Sequence, residues 1–197
     1  MTTQTTEVFT PLLNKALSFA ITVHEIDQKQ KRKGKDVAYI THPIQVGLIL
    51  AKAGASDEVV AAGLLHDTIE DSPIDHKVTK GKLTELFGLT VADLVYAVTE
   101  KNRGLTWRER KEAALKEILE FSPDALLLKS ADVISNITEL VNDYKQDGDI
   151  TFTRFNGPKA VLITHALHVI EAILTSSDNN PIKGDLLICQ ADLERMK

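Results

Sequence analysis

The sequence contains very little cysteine: Cys189 is the only one among 197 residues. A single thiol excludes a disulfide within the chain and a metal site made of several thiolates. No apolar run comes close to the roughly 20 residues that a membrane-spanning helix needs. Residues 1–10 are polar and rich in threonine, without the basic and apolar segments of a signal peptide. We therefore expect a cytoplasmic protein with no membrane partner.

Charge of one sign is not in large excess either. The chain has 23 Lys and Arg against 28 Asp and Glu, which gives a formal net charge of −5. This balance does not favour nucleic acid through bulk electrostatics, so we expect no nucleic-acid partner. A small anion can still bind wherever cations are concentrated locally. The length and the 43% apolar and 26% charged residues are typical of one globular domain.

Apolar residues recur about every 3.6 positions through most of the chain, and no segment shows convincing strand alternation. We therefore predict an all-α fold, a compact multi-helix bundle in which residues 1–197 form one domain. Helices begin at recognisable caps: Thr10-Pro11, Ser56 and the capping box from Thr106 to Glu109. The core of the domain should cover about residues 10–175, and residues 176–181 should link it to a short C-terminal segment. The predicted helices span about residues 11–27, 42–50, 57–71, 82–87, 90–99, 107–121, 123–140 and 157–175.

An imidazole and three carboxylates directly follow the apolar stretch Ala61–Leu65: His66, Asp67, Glu70 and Asp71. On a continuous helix, His66 would share a face with Glu70, and Asp67 with Asp71, because residues four apart are neighbours. Burying such groups without partners is costly, and a metal ion offsets that cost. We therefore interpret the four residues as a metal-binding or catalytic cluster. The alternative is a helix that reaches the surface at His66 and ends in a solvated acidic patch.

His24 and Asp132 are candidates for completing a metal site, because a His-Asp pair alone leaves a metal under-coordinated. His24 lies just past the apolar stripe of the first predicted helix, and by spacing alone a partly buried core histidine is the simpler interpretation. Asp132 follows an apolar stretch, with Asn136 four residues later on the same face. The alternative for Asp132 is a helix-surface acid paired with Lys129.

Positive charge is concentrated in a basic loop after the first predicted helix, which contains Lys29, Lys31, Arg32, Lys33 and Lys35. A substrate with several phosphates would place negative charge beside the carboxylate cluster, and a basic loop next to His24 is suited to receive it. The alternative is a solvated, flexible loop. Two looser sets of cations are further candidates for phosphate contacts: Lys101, Arg103, Arg108, Arg110 and Lys111, and then Arg154 with Lys159.

The order His24, His66-Asp67, Asp132 resembles the HD superfamily of metal-dependent phosphohydrolases. The stretch Tyr-Ile-Thr-His-Pro at 39–43 and the block Ala-Ala-Gly-Leu-Leu-His-Asp-Thr-Ile-Glu-Asp at 61–71 are similar to the RelA/SpoT-type branch, and within it to small stand-alone alarmone hydrolases. Residues 131–136 are similar to the family's Ala-Asp-x-x-x-Asn motif, and residues 154–156 to a later segment. The resemblance covers most of the chain. The sequence departs from the family pattern at Val133, where a basic residue is usual, and in having a longer segment between His24 and Tyr39.

This resemblance implies a site and a cofactor. One divalent ion, usually manganese in this family, would be held by His24, His66, Asp67 and Asp132. Glu70 and Asp71 would orient or deprotonate the attacking water. His42 would support a ligand or the end of a helix. The residues implied in substrate binding are Arg32, Lys33, Tyr39, Asn136 and Arg154.

The resemblance also implies a substrate, guanosine 3′-diphosphate 5′-di(tri)phosphate, which would lose its 3′-pyrophosphate as in the stringent response. Two alternatives remain open. One is another nucleotide phosphohydrolase, such as a nucleotidase or a phosphatase acting on a phosphorylated dinucleotide. The other is a non-catalytic module that binds a nucleotide and signals through a partner. The presence of Glu70 and Asp71 favours an enzyme, because a binding module needs no acid to activate water.

Overall fold

The computed structural model describes residues 7–101 and 104–197, and the regular structure in these ranges is helical. The predicted all-α fold is confirmed, since the one β-bridge among the described residues is an isolated pair, Lys31 with Ala38. The α-helices are α1 (Pro11–Ile21), α2 (Thr41–Lys52), α3 (Asp57–Leu65), α4 (Thr68–Asp71), α5 (Lys80–Phe87), α6 (Leu89–Val98), α7 (Trp107–Ile118), α8 (Pro123–Asp147), α9 (Lys159–Ser176) and α10 (Lys183–Arg195).

Side-chain caps start several helices where the sequence predicts them. Thr10 and Ser56 each accept a hydrogen bond from the backbone N–H three residues on, at 3.5 and 3.4 Å. Pro11 is the first residue of α1, and Thr106 forms the predicted capping box with Glu109. These polar side chains satisfy N–H groups that the first turn of a helix leaves unpaired. The capping signals therefore located the starts of α1, α3 and α7 correctly.

Helix α3 lies at the centre of the core, and every residue from Val59 to Leu65 is buried. Helices α1, α2, α6 and α8 pack around it. Two glycines allow α2 and α3 to approach closely: a Cβ on Gly63 would clash with Leu50, and one on Gly47 would lie 2.8 Å from the Leu64 side chain. The C-terminal end of α3, where the His-Asp pair follows, is thereby held between α2 and α8.

The prediction of one continuous helix from residue 57 to about 71 is wrong at the His66-Asp67 step. Helix α3 ends at Leu65 and the short α4 begins at Thr68. His66 Nδ1 lies 2.8 Å from the carbonyl oxygen of Gly63, and the Thr68 hydroxyl donates to the carbonyl of Leu65 at 2.7 Å. These side-chain donors take carbonyl groups that would otherwise accept the bonds of a continuing helix. The expected pairing of residues four apart on one face therefore does not apply here.

The segment after α1 is a π-helical turn, Thr22–Asp27, so the predicted helical extent to about Asp27 is confirmed but its geometry is not regular. His24 lies in this turn and is fully buried. Its ring lies 5.1 Å, between centroids, from the ring of Tyr39. Turns of this kind accommodate an extra residue and are frequent at functional sites. The turn brings His24 next to the residues that follow α3.

The last three helices close the bundle. Helix α8 extends to Asp147, well past its predicted end at residue 140. By length and composition, α9 would be able to cross a membrane, in contrast to the expectation from apolar runs. In the structure α8, α9 and α10 pack on one another, and 28% of α9 is buried. Five aliphatic side chains of α9 and α10 are fully buried: Ile163, Ile170, Ile173, Leu186 and Leu193.

Candidate metal centre and cavity

Four side chains from α2, the α3–α4 turn and α8 converge at one buried point. His42 Nε2 lies 3.2 Å from His66 Nε2 and 3.3 Å from Asp132 Oδ1. His66 Nε2 lies 3.1 Å from Asp67 Oδ2. Both histidines are buried, and the two carboxylate side chains are 19% and 14% exposed. We call His42, His66, Asp67 and Asp132 the metal centre, because their ligand-type atoms face one another.

The metal centre carries more negative charge than the protein itself balances. Burial would lower the pKa of His66, but the charge and hydrogen bond of Asp67, with the charge of Asp132, raise it to about 9. Burial would raise the pKa of Asp67, but the charge and hydrogen bond of His66 hold it well below the usual range. For Asp132 burial again opposes, and Lys129 with the two histidines keeps the pKa low. Both carboxylates thus stay charged, and because Lys129 offsets only one of them, a proton or a metal ion must balance the other.

His24 packs against Tyr39, which donates a hydrogen bond to Asp67, and one buried nitrogen of its ring has no hydrogen-bond partner among the described residues. Its Nδ1 lies 3.0 Å from Gln30 Oε1, which can only accept, so Nδ1 carries the hydrogen and Nε2 presents a lone pair. Within the described residues, His24 Nε2 is buried and has no hydrogen-bond partner. A buried imidazole lone pair without a donor is costly unless it ligates a metal. His24 therefore has a nitrogen suited to a metal ligand, as predicted, but the ligand-type atoms that lie within 4.8 Å of one another are those of His42, His66 and Asp67.

Tyr39 and Asn136 hold the carboxylates of the metal centre in place. The Tyr39 hydroxyl donates to Asp67 Oδ2 at 2.6 Å, and Asn136 Nδ2 donates to Asp132 Oδ1 at 2.6 Å. Burial and the nearby Asp67 carboxylate raise the pKa of Tyr39, so the hydroxyl remains a donor. Partners of this kind orient ligand side chains and tune their basicity. The two residues predicted to bind substrate thus also contact the predicted metal ligands.

Glu70 and Asp71 face different surroundings. Glu70 Oε1 accepts a hydrogen bond from the backbone N–H of Glu100 at 2.5 Å, and Glu70 lines the cavity beside the metal centre. Asp71 Oδ2 accepts from Gln30 Nε2 at 3.0 Å, and Gln30 is the residue that contacts His24. Glu70 therefore lies where a substrate can reach it, whereas Asp71 is linked to a predicted ligand.

A cavity of about 340 Å³ opens from the metal centre towards α7 and α9. Its polar wall contains four cations, Lys101, Arg110, Lys111 and Lys129. Glu100 pairs with Arg110 and Lys111, at 2.5 and 3.0 Å, while Lys129 Nζ donates to Asp132 Oδ2 at 2.8 Å. A partly open cavity with carboxylates at one end and cations along its wall suits an anionic ligand that meets a metal ion.

The basic loop is docked on α8 by ion pairs. Arg32 donates to Glu139 and to Asn136 Oδ1, both at 2.8 Å, and Lys35 pairs with Glu139 at 2.9 Å and Asp143 at 2.6 Å. Arg32 thus contacts Asn136, and Asn136 in turn contacts Asp132 of the metal centre. The loop is therefore held by specific partners, and Arg32 is less exposed than a solvated loop residue.

Lys33 and Arg154 lie farther out, around the ring of Phe155. Lys33 Nζ is 5.7 Å from the ring centroid and the Arg154 guanidinium carbon is 4.9 Å from it. Arg154 also pairs with Asp143 at 2.5 Å, which links it to the basic loop. Arg32 and Arg154 are thus both paired with acids of α8, and Lys33 shares the Phe155 ring with Arg154, while Tyr39 and Asn136 reach the cavity. Arg103, another candidate phosphate contact, lies outside the described residues.

Several polar residues of the site carry no sequence signal. Gln30 and Glu100 lie in irregular segments where no periodicity marks them, and Glu139 resembles any surface acid of a helix. His165 also lines the cavity, and burial, followed by the charges of Lys111 and Lys129, lowers its pKa to about 4. Only the packing of the helices brings these residues to the metal centre, the cavity and the basic loop.

Comparison with known proteins shows the family to which the chain belongs. Residues 16–153 match the model of the HD domain family, and the chain belongs to that family. Among curated relatives, it is similar to guanosine-3′,5′-bis(diphosphate) 3′-pyrophosphohydrolase MESH1 of Danio rerio, with 35% identity over 133 residues, covering 66% of this chain and 70% of the relative. The Mus musculus MESH1 is 37% identical over 130 residues, covering 65% and 69%. Escherichia coli bifunctional (p)ppGpp synthase/hydrolase SpoT is 38% identical over 108 residues, 52% of this chain but only 15% of SpoT.

Solved structures show the same fold. A metazoan orthologue of SpoT that hydrolyses ppGpp superposes with a TM-score of 0.71 at 23% identity, covering 94% of this chain and 95% of that one. A Listeria monocytogenes protein superposes with a TM-score of 0.70 at 26% identity, covering 79% and 97%. The arrangement of helices around the metal centre is therefore that of an HD-domain protein.

Proposed function

We propose that this chain is a metal-dependent phosphohydrolase that removes the 3′-pyrophosphate from guanosine tetra- or pentaphosphate. The observation that carries the proposal is the convergence of imidazole nitrogens and carboxylates at the end of a cavity that also contains Glu70 and cations. The relatives named as guanosine-3′,5′-bis(diphosphate) 3′-pyrophosphohydrolases supply the substrate class. We expect this reaction to take place in the cytoplasm.

His24, His66, Asp67 and Asp132 would hold one divalent ion. Mixed imidazole and carboxylate ligands suit several first-row metals, and we assign manganese on the family resemblance. When bound, the ion supplies a Lewis acid that acidifies water and stabilises negative charge on phosphoryl oxygens. The hydrogen bonds from Tyr39 to Asp67 and from Asn136 to Asp132 keep both carboxylates oriented for this purpose.

Glu70 would take the proton of the attacking water. Its hydrogen bond from the Glu100 N–H fixes the carboxylate at the cavity wall. The water oxygen bonds to the phosphorus attached to the 3′ oxygen, the phosphorus–oxygen bond to the ribose breaks, and the 3′ oxygen takes up a proton as pyrophosphate leaves. Asp71 supports this arrangement indirectly, because Gln30 connects it to His24.

Charged side chains around the cavity would bind the phosphates. Lys129, Arg110 and Lys111 face the cavity, where they would offset the charge of a pyrophosphate group. Arg32, Lys33 and Arg154, with Phe155, would bind the rest of the nucleotide at the opposite side of Asn136. Tyr39 lies between the two groups, with its ring 5.3 Å from the Arg32 guanidinium.

A substrate panel in the presence of manganese tests the proposal. Metal-stripped and manganese-loaded protein would be incubated with pyrophosphorylated guanine nucleotides, nucleoside monophosphates and phosphorylated dinucleotides. Release of pyrophosphate, only with metal and only from the first group, is the expected result. Release of orthophosphate would instead identify another nucleotide phosphohydrolase. Tight nucleotide binding without turnover would identify a non-catalytic binding module.

A further inference from the structure

Two cations of the cavity wall are already paired with an acid of the protein. Glu100 follows α6 and lines the cavity. Its carboxylate oxygens accept hydrogen bonds from two side chains of α7, Oε1 from Arg110 Nη1 at 2.5 Å and Oε2 from Lys111 Nζ at 3.0 Å. Burial would raise the pKa of Glu100, but the hydrogen bonds and charges of Lys111 and Arg110 lower it. An anion that enters the cavity at neutral pH therefore meets a charged carboxylate at these two cations.

A third cation of the wall belongs to the metal centre. Lys129 Nζ donates to Asp132 Oδ2 at 2.8 Å, and Glu100 makes no ion pair with it among the described residues. The cations that an anionic ligand can use thus fall into two groups. One group is Lys129 at the metal centre, and the other is Arg110 and Lys111 around Glu100.

Glu100 does not satisfy the guanidinium of Arg110 completely. Arg110 Nε is buried and has no hydrogen-bond acceptor among the described residues. A guanidinium has five donors in a planar fork that matches the oxygens of a phosphate group. The Arg110 and Glu100 side chains are 26% and 21% exposed, so the pair is not sealed inside the protein. A phosphate group can therefore compete with the Glu100 carboxylate for the same cations.

We propose that Arg110 and Lys111 form a subsite for the outer phosphate of a pyrophosphoryl group, and that the Glu100 carboxylate is an internal competitor which this phosphate displaces. The inference rests on the proposed function for its ligand, a pyrophosphoryl group, but not on the nucleotide that carries it. After cleavage, the return of Glu100 to both cations favours the release of pyrophosphate. Glu100 is thus a specificity-determining residue that sets how tightly the second phosphate is held.

The side chain and the backbone of Glu100 have separate tasks, which makes the competitor testable. The backbone N–H donates to Glu70 Oε1 at 2.5 Å, whereas the carboxylate faces Arg110 and Lys111. A Glu100→Gln variant removes the charge of the competitor and keeps the N–H group that holds Glu70. Its effect on anion binding therefore reports on the side chain.

The first experiment is a calorimetric titration of inorganic pyrophosphate into protein that carries its bound metal, without excess metal. Glu100→Gln should bind pyrophosphate about tenfold more tightly than the original protein, because a neutral amide forms weaker hydrogen bonds with cations than a carboxylate does. Orthophosphate, which should bind at the metal centre alone, should gain less than about threefold, since the screened loss of one distant charge is a small effect. Metal content is measured in every variant, so that affinity and occupancy are not confused.

Glu117→Gln is the matched control. Glu117 lines the same cavity, and its replacement changes the net charge equally, but it pairs with Lys101 at 3.6 Å. Its pyrophosphate affinity should therefore change by less than about threefold. Equal or weaker pyrophosphate binding in Glu100→Gln would overturn the inference. A gain of the same size in Glu117→Gln would also overturn it, because the effect would then be the general charge of the cavity.

The second experiment observes the displacement directly, in a crystal structure of the original protein with pyrophosphate bound. Phosphate oxygens should replace the Glu100 carboxylate at Arg110 and Lys111. Pyrophosphate bound with both Glu100 pairs intact would overturn the inference. Both experiments are independent of turnover. If the protein hydrolysed no pyrophosphorylated guanine nucleotide, the proposed function would fail, and the binding results would still decide whether Glu100 competes for this subsite.

Discussion

The metal centre and the basic loop both use acids of α8, but their charges are balanced in different ways. At the loop, Glu139 and Asp143 are matched by Arg32, Lys35 and Arg154, so the charges are satisfied within the protein. At the metal centre, Lys129 pairs with Asp132, and the charge of Asp67 beside the histidines is balanced only if a proton or a metal is added. The same helix thus stabilises a loop at one end and leaves a place for a cation at the other.

The largest effect is expected from removing an acid at the metal centre. Asp132→Ala should lower the affinity for the divalent ion by about 100-fold or more and abolish turnover, because it removes a ligand and not merely an outer partner. Elemental analysis of purified protein measures this. Glu139→Ala, two turns further along α8, is the matched control and should keep its metal. A full metal complement in Asp132→Ala would remove Asp132 from the ligand set.

The next effect concerns the acid beside the metal centre. Glu70→Gln keeps the shape of the side chain but removes the base, so kcat should fall by about 10²–10⁴, the usual contribution of a positioned acid or base. The metal should remain bound, since Glu70 is not among the proposed ligands. Steady-state kinetics with parallel metal analysis measures both. If the variant instead lost its metal, Glu70 would be a ligand and the proposed roles would have to be exchanged.

A smaller effect is expected at the basic loop, which should influence binding and not chemistry. The double variant Arg32→Ala, Lys33→Ala should lower kcat/KM for a pyrophosphorylated guanine nucleotide by about tenfold or more, mainly through KM, because charged hydrogen bonds contribute about 1.5–3 kcal/mol each. The loss should shrink as the salt concentration rises. Lys31→Ala, in the same loop but paired with the exposed Asp36, is the control. An unchanged KM in the double variant would make the loop purely structural.

The smallest effect is a pH-dependent loss of stability at the loop. Burial would raise the pKa of Glu139, but the hydrogen bonds and charges of Lys35 and Arg32 lower it. A lowered carboxyl pKa stabilises the fold above the unfolded value of about 4.3, and this stabilisation is lost as the pH falls through the folded value. Glu139→Gln should therefore cost about 1–2 kcal/mol near pH 7, discounted for partial exposure, and nearly nothing at acid pH.

Denaturant unfolding at several pH values measures this difference. Glu112→Gln, which removes the exposed partner of Arg108, should change stability little at any pH, since exposed ion pairs contribute little. A loss in Glu139→Gln that persisted unchanged in acid would show that packing, and not charge, holds the loop on α8. Metal content should be unaffected in both variants, which separates the loop from the metal centre.

The sequence by itself determined the helical fold and the helix starts at Thr10, Ser56 and Thr106, and it drew attention to His66, Asp67 and Asp132, whose side chains the structure brings close together. Capping and periodicity are local properties, so a single sequence can reveal them. It missed the turn at His66-Asp67, because the competition between side-chain and backbone donors for the same carbonyls is not visible in a hydrophobic pattern.

Only the tertiary structure decided which distant residues complete the site. Gln30, Glu100, Ser135 and Glu139 carry no signal in the sequence, and each reaches its partner across 6 to 107 positions of the chain. His42 reaches its partners in the same way, since its two ring nitrogens contact His66, which follows α3, and Ser135 of α8. Hydrogen-bond partners at this separation depend on how helices pack, and the directions of buried donors and acceptors are fixed only after that packing is complete.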